Sequence, residues 1–322
     1  MSTQLTRSIR SRRTRIAASL LLPLAIGLTS CSTATTDASS PAADAATSTT
    51  ASAPQRIVAL SLETADIALQ LVGPDRIVAV PASALKPTSA NQSALAAQVA
   101  NTLPSGTNPD PESILAFNPD LVLNTTRHDG EAAAGQQLET TGVTVVNLDA
   151  DSFVTPEAVA EATRQIGEAV GEQSKAEELA TTFTAAIAEL DKQVPADGAD
   201  TAPRFAALMS RGTSIMAMPS NLMMPGLATR AGGTNAGDAI GLTATRPIDA
   251  EALVAMNPDI LFIEDFQGKG RGPFEELLAN PALANVPAIA NNAIVLIPAT
   301  EASGASGLNT ATGYQKIIAA LQ

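Results

Sequence analysis

The chain has 322 residues with 19 basic and 32 acidic side chains, a formal net charge of −13, one cysteine, one histidine and no tryptophan. A balance this acidic repels nucleic acid and anionic membrane surfaces, which excludes polyanion binding. One cysteine excludes a disulfide framework, and a lone cysteine with a lone histidine excludes the usual zinc constellations.

Residues 1–30 read as a signal peptide. Arg7, Arg10, Arg12, Arg13 and Arg15 precede the apolar run IAASLLLPLAIGLTS, which has the charge order of an export signal and is shorter than a membrane-spanning helix needs. The segment SRRTR leaves both the general and the twin-arginine export routes open. LTSC, Leu28 to Cys31, resembles a bacterial lipobox, which implies that Cys31 becomes the lipid-modified first residue of an exported, membrane-anchored protein. The signal holds five of the 19 basic residues and no acidic one, so 14 basic residues face 32 acidic ones afterwards, a net −18. After Cys31 the stretch to residue 54 is Ala, Ser, Thr and Pro with two aspartates, too polar to bury and suited to a flexible tether.

An N-terminal α/β lobe is expected over 55–152. RIVALS at 56–61 and RIVAVP at 76–81 are β-branched apolar runs flanking LETADIALQLVG, whose apolar spacing and terminal Gly73 predict a helix. DPESILAFN, DLVLN, a helix over 131–141 and VTVVNLD repeat the alternation, which argues for a mainly parallel sheet covered on both faces. Residues 153–200 carry almost no strand signal. Thr155 with Pro156 marks one helix start, and Ser174 with Glu177 predicts a capping box for a second helix over 174–193. At 1.5 Å per residue that helix is about 30 Å long, enough to join two lobes stiffly. A C-terminal α/β lobe follows over 201–322, with RFAALMS, SIMAMP, a helix ending in ATRAGG, DILFIED, AIVLIPA and a closing helix.

DPESILAFNPDLVL at 110–123 and DAEALVAMNPDILF at 249–262 share one grammar. In each an Asp caps a helix, Glu112 or Glu251 sits in the first turn where the dipole favours negative charge, and Asn-Pro-Asp leads into a buried strand. The repeat marks equivalent places on two similar lobes. The expected fold is therefore α/β, two lobes each with a central mainly parallel sheet flanked by helices, joined by one long helix.

These motifs, with GVTVVNLDADSFVTPEAVAEATRQIGEAVG between them, resemble the helix-linked substrate-binding proteins of ABC importers, which capture cobalamin, ferric siderophores and haem. The resemblance spans nearly all of 55–322. It implies a monomer that carries out no chemistry, takes a small molecule into the cleft between its lobes, and docks Glu112 and Glu251 on arginines of a permease dimer driven by an ATPase. SRGTSIMAMPSNLMMPGLATRAGGTNA resembles the haem-binding branch most closely.

Ligand-contacting candidates follow strand ends, where open α/β sheets bind. His128 lies a few residues past DLVLN and is a candidate for haem iron, and neighbouring Arg127 suits a carboxylate such as a propionate. Arg211, Arg246 and one of Met223 or Met224, a thioether being a known axial donor, complete the set. Haem-binding relatives often carry a tyrosine just before the Arg-Pro of the second repeat, whereas Ala244 and Thr245 stand there in this chain, and the single tyrosine, Tyr314, reads as structural. Haem or another ferric chelate is the first expectation and a ferric siderophore the alternative. Cobalamin falls behind for want of tryptophan, and a surface lipoprotein that binds without transport stands apart. No Gly-x-Ser-x-Gly elbow, His-Glu-x-x-His helix or phosphate-binding loop supports an enzyme.

Overall fold

The computed structural model describes residues 52–195 and 202–322. The predicted signal peptide, Cys31 and the tether as far as residue 51 lie outside the described residues. Among those described, no helix is long and apolar enough to cross a membrane.

The first lobe runs β1 (Ile57–Ala59), α1 (Leu62–Val72), β2 (Ile77–Pro81), α2 (Ser93–Ala96), β3 (Thr102–Leu103), α3 (Pro111–Leu115), β4 (Leu121–Thr125), α4 (Asp129–Glu139) and β5 (Thr144–Leu148). Its five strands are all parallel in the order β3-β2-β1-β4-β5. Helix α1 starts at a capping box, in which the Ser61 hydroxyl accepts from the Thr64 amide and Thr64 Oγ1 accepts from the Ser61 amide. It ends at Gly73, whose φ of 71° suits a residue without Cβ.

Two helices follow, α5 (Pro156–Val170) and α6 (Gln173–Asp191). Thr155 caps α5, its hydroxyl accepting from the Ala158 amide at 3.1 Å, as the sequence predicts. The predicted capping box on α6 does not form. Gly171, with φ 77°, ends α5 so abruptly that Glu172 already stands at the N-cap of α6, and Ser174 falls inside its first turn. Glu177 turns instead to Arg164 on α5, 2.6 Å away. The two helices pack so closely that a Cβ on Gly167 would come within 2.1 Å of the Ala176 methyl. Helix α6 spans the lobes, since Lys175 near its start donates to the Leu71 carbonyl of α1 while Asp191 at its end pairs with Arg230 of the second lobe.

The second lobe comprises β6 (Arg204–Arg211), β7 (Ser214–Ala217), α7 (Met223–Arg230), β8 (Thr234–Asn235), β9 (Arg246–Pro247), α8 (Ala250–Met256), β10 (Ile260–Asp265), α9 (Glu275–Leu278), α10 (Pro287–Ala290), β11 (Ile294–Pro298), α11 (Ala299–Ala302) and α12 (Thr310–Leu321). Its sheet runs β11-β10-β6-β7-β9, with β8 parallel to β6. Strands β6, β10 and β11 are parallel, while β7 and β9 join antiparallel, because RFAALMS and SIMAMP form a hairpin about Gly212.

The duplicated motif does the same mechanical work in both lobes. Asn118 and Asn257 both adopt left-handed backbone, with φ 47° and 45°. The aspartate two positions on then accepts the backbone amide that opens its lobe, Asp120 from Arg56 at 2.9 Å and Asp259 from Arg204 at 2.9 Å. Each arginine returns the contact: Arg56 donates to the Phe117 and Asn118 carbonyls, and Arg204 to the Met256 carbonyl. A two-way clamp thus fixes the helix–strand corner to the first strand of each sheet. One continuous apolar cluster runs from the first sheet through α5 and α6 into the second, joining Ile57, Phe153, Ile166, Phe183, Phe205 and Met218.

Candidate functional site

The carboxyl ends of both sheets face one another, and a cavity of ≈ 270 Å³ lies between them. From the first lobe it is lined by Glu63 at the start of α1, Arg127 beyond β4, and Ala150, Phe153 and Val154 beyond β5. The second lobe contributes Met209 and Arg211 from β6, Met218, Leu222, Met223 and Met224 around the start of α7, Thr245, and Glu264 and Phe266 at the end of β10. The turn Ser303–Ala305 closes its floor. A neighbouring hollow of ≈ 330 Å³ beside α5 and α7 shares Val154 and Met223 with it.

The walls are mainly apolar, and their charged groups are arranged unevenly. Arg127 is committed to its own lobe: its guanidinium lies 2.5 Å from Glu63 Oε1 and 3.7 Å from Glu131, and its amide donates to Glu131 Oε2 at 2.9 Å. Arg127 Nε and Glu63 Oε2 are buried without a partner among the described residues. Across the cavity Glu264 is only 4 % exposed. Burial pushes its carboxyl up to about 7, against the opposing pull of Arg211.

One turn behind Glu63, Asp66 holds the lobes together from the inside. Its carboxylate accepts from the amides of Asn91 and Gln92 at 2.7 and 3.1 Å. The Asn91 amide group then reaches across to the Thr300 and Ser306 carbonyls at 3.2 and 3.0 Å. Burial lifts Asp66 to about 6, the two backbone donors pulling the other way. Gly268 with φ 67° lies so near Thr88 of the other lobe that a Cβ would meet its methyl at 2.6 Å. At the far end of α6, Asp191 binds Arg230 through two hydrogen bonds and accepts from Tyr314 at 2.8 Å, so Tyr314 is structural, as its sequence position suggests.

The structure brings Arg127, Arg211, Met223 and Met224 into one cavity. Met223 and Met224 are also part of the apolar core. His128 is exposed at the N-cap of α4 and is not among the lining residues. Arg246, on the edge strand β9, donates to the Ile240 carbonyl at 3.0 Å and leaves its neighbour Thr245 to line the cavity. Glu112 and Glu251 are exposed in the first turns of α3 and α8, capped by Asp110 and Asp249. Strand ends are expected to carry the site, but Glu63, Glu264 and the 303–305 turn are not among the residues that the sequence singles out. Among the described residues no cluster of three or more His, Cys, Asp or Glu side chains is arranged to hold a metal ion.

Two α/β lobes joined by a long helix, with a cavity between their strand ends, have the architecture of a two-lobed binding protein. The chain belongs to the periplasmic binding protein family, whose model matches residues 57–301. It is similar in fold to the apo haem-binding protein RhuT of Roseiflexus sp. RS-1, at 24 % identity and a TM-score of 0.70, over 83 % of this chain and 99 % of that one. A periplasmic haem-binding protein of Pseudomonas aeruginosa is similar at 22 % identity and a TM-score of 0.66, over 83 % and 92 % of the two chains. HutB of Vibrio cholerae, also a periplasmic haem-binding protein, is similar at 22 % and 0.64, over 82 % and 98 %. No curated protein matches the sequence.

Proposed function

We propose that this protein, anchored outside the cytoplasmic membrane through lipid on Cys31, captures haem or another ferric chelate between its lobes and delivers it to an ABC permease dimer. The observation that carries the reading is the cavity itself: apolar walls of Phe153, Leu222, Phe266 and four methionines, set between two lobes whose matched helices each begin with an exposed glutamate. Such walls suit the faces of a flat macrocycle, and Arg211 suits an acidic edge group. The similarity in fold to haem-binding proteins supports the same ligand class. Ligand that bridges the lobes favours the closed form by its differential affinity, and Glu112 and Glu251 then meet permease arginines.

One observation favours a second ligand. The single histidine lies outside the cavity, and a ferric siderophore, which brings its own iron donors, does not need it. Titration of the purified protein with hemin, followed by visible absorbance, separates the two: a saturable, shifted Soret band is expected for haem, and no saturable band would leave the siderophore. Uptake in a deletion strain tests delivery. Glu112→Lys and Glu251→Lys should each abolish import with ligand affinity intact, and restoration of uptake by both variants would remove the docking role.

A further inference from the structure

The cavity offers a bound ligand few polar atoms that are not already engaged. Arg127 is held by Glu63 and Glu131, and Glu63 spends one oxygen on Arg127. Glu264 is different. It lines the cavity, is only 4 % exposed, and its carboxyl makes no hydrogen bond to any described residue. Strand geometry explains its direction: Phe262, two residues earlier on β10, faces the continuous inner core, so period-two alternation turns Glu264 to the same side, while Ile263 packs into the outer core. Its partner in register on β6, Met209, also lines the cavity. A buried carboxyl that holds no other group in place costs stability, so its position needs a reason outside the fold.

Besides the neutral hydroxyls of Thr245 and Ser303, the donors that the cavity presents to a metal are two carboxyls, Glu63 and Glu264, and the thioethers of Met209, Met218, Met223 and Met224. Ferric iron is a hard acid that favours anionic oxygen over thioether sulfur, and anionic oxygen is an established axial donor to haem iron. Of the two carboxyls only Glu264 is free of an arginine within salt-bridge distance. We propose that Glu264 supplies the oxygen donor to the iron of the bound chelate, which deepens the haem-type reading above and rests on it. One carboxylate oxygen gives its lone pair to ferric iron and the iron's axial water is released. Where the carboxyl was neutral its proton passes to solvent, and the oxidation state of the iron does not change.

Arg211 from β6 bears on this carboxyl, and Glu63 and Arg127 of the facing lobe line the same cavity; its neighbour in register on β11, Ile297, is apolar. Affinity for hemin should therefore fall by roughly tenfold between pH 8 and pH 6, as protons compete for the same oxygen. The test titrates hemin into the full chain, purified in detergent, and into its Glu264→Gln, Glu264→His and His128→Ala variants, reading Soret position, electron paramagnetic resonance and affinity against pH. Glu264→Gln should lose at least the roughly 10–100-fold that removal of an outer-shell partner costs, together with the pH dependence. Glu264→His should give an imidazole-ligated spectrum with a Soret band and electron paramagnetic resonance signal distinct from the parent protein's, which a residue remote from the iron cannot produce. His128→Ala should match the parent protein. Identical spectra and affinities for Glu264→Gln and the parent, or a spectral change confined to His128→Ala, would overturn the assignment while leaving haem capture standing. Absence of any saturable hemin binding by the parent protein would instead remove the haem reading, and the assignment with it.

Discussion

Replacing Glu264 by Gln should make the ligand-free protein more stable at alkaline pH and leave it unchanged in acid. The carboxyl titrates near 7 in the folded protein against an ordinary value of 4.5, because burial disfavours its charged form. Below pH 4.5 the folded and unfolded chains both hold the proton, and the residue contributes no pH-dependent difference. Between 4.5 and 7 the unfolded chain releases its proton while the folded protein retains it, so stability falls as pH rises, and above 7 the loss is complete. The interval corresponds to about 3 kcal/mol at pH 8. Glutamine keeps the shape without the charge, so the variant should recover that amount, a rise in Tm of roughly 6–12 °C for a chain of this size. Thermal melts by circular dichroism at pH 4.5, 6 and 8, without ligand, give the comparison. Asp66, whose carboxyl is also raised, shifts both proteins alike and cancels in the difference. A variant that melts at or below the parent protein at pH 8 would show that the carboxylate has a stabilising partner, and the reasoning from burial would fail.

Asn91→Ala should lower the unfolding free energy by about 1–3 kcal/mol, read as a lower urea midpoint with the slope unchanged, since it strands the Ser306 carbonyl and leaves the Thr300 carbonyl with Asn309 as its one side-chain donor where the lobes meet. Asn257→Ala should cost about 1 kcal/mol because φ is 45° at that position, whereas Asn257→Gly should be nearly neutral; equal losses for both would mean that the side chain matters more than the backbone angle.

Much of this architecture was legible because its signals are local. Capping aspartates at 110 and 249, Thr155 before Pro156, Gly73 after an apolar periodic run and the β-branched strands each declare themselves within a few residues. The clamp was not, because Asp120 meets Arg56, and Asp259 meets Arg204, across more than fifty residues of chain. His128 and Arg127 part for a geometric reason. Helix α4 begins at Asp129, so the chain turns between Arg127, which lines the cavity, and His128, which stays exposed. Glu264 and Asp265 look alike in sequence as an acidic strand end. Counting by twos from Phe262 separates them, since Asp265 instead accepts the Lys269 and Gly270 amides in the next loop.

The way the lobes are joined limits how ligand enters. Their inner faces share one apolar cluster with α5 and α6, so a wide opening would expose Phe153, Phe205 and Met218 to water at a cost that scales with the apolar area uncovered. Asn91 and the close approach of Gly268 to Thr88 add specific connections between the lobes. The spanning helix is bound at both ends, by Lys175 to the first lobe and by Asp191 to Arg230 in the second. A hinge that swings freely requires a soft connector, and none of these elements is one. On the proposed function, ligand exchange therefore calls for a small rocking of each lobe about α6 rather than a wide swing. Such a motion leaves the two clamped corners that carry Glu112 and Glu251 rigid, so their spacing changes with the angle between the lobes and can report occupancy to a partner.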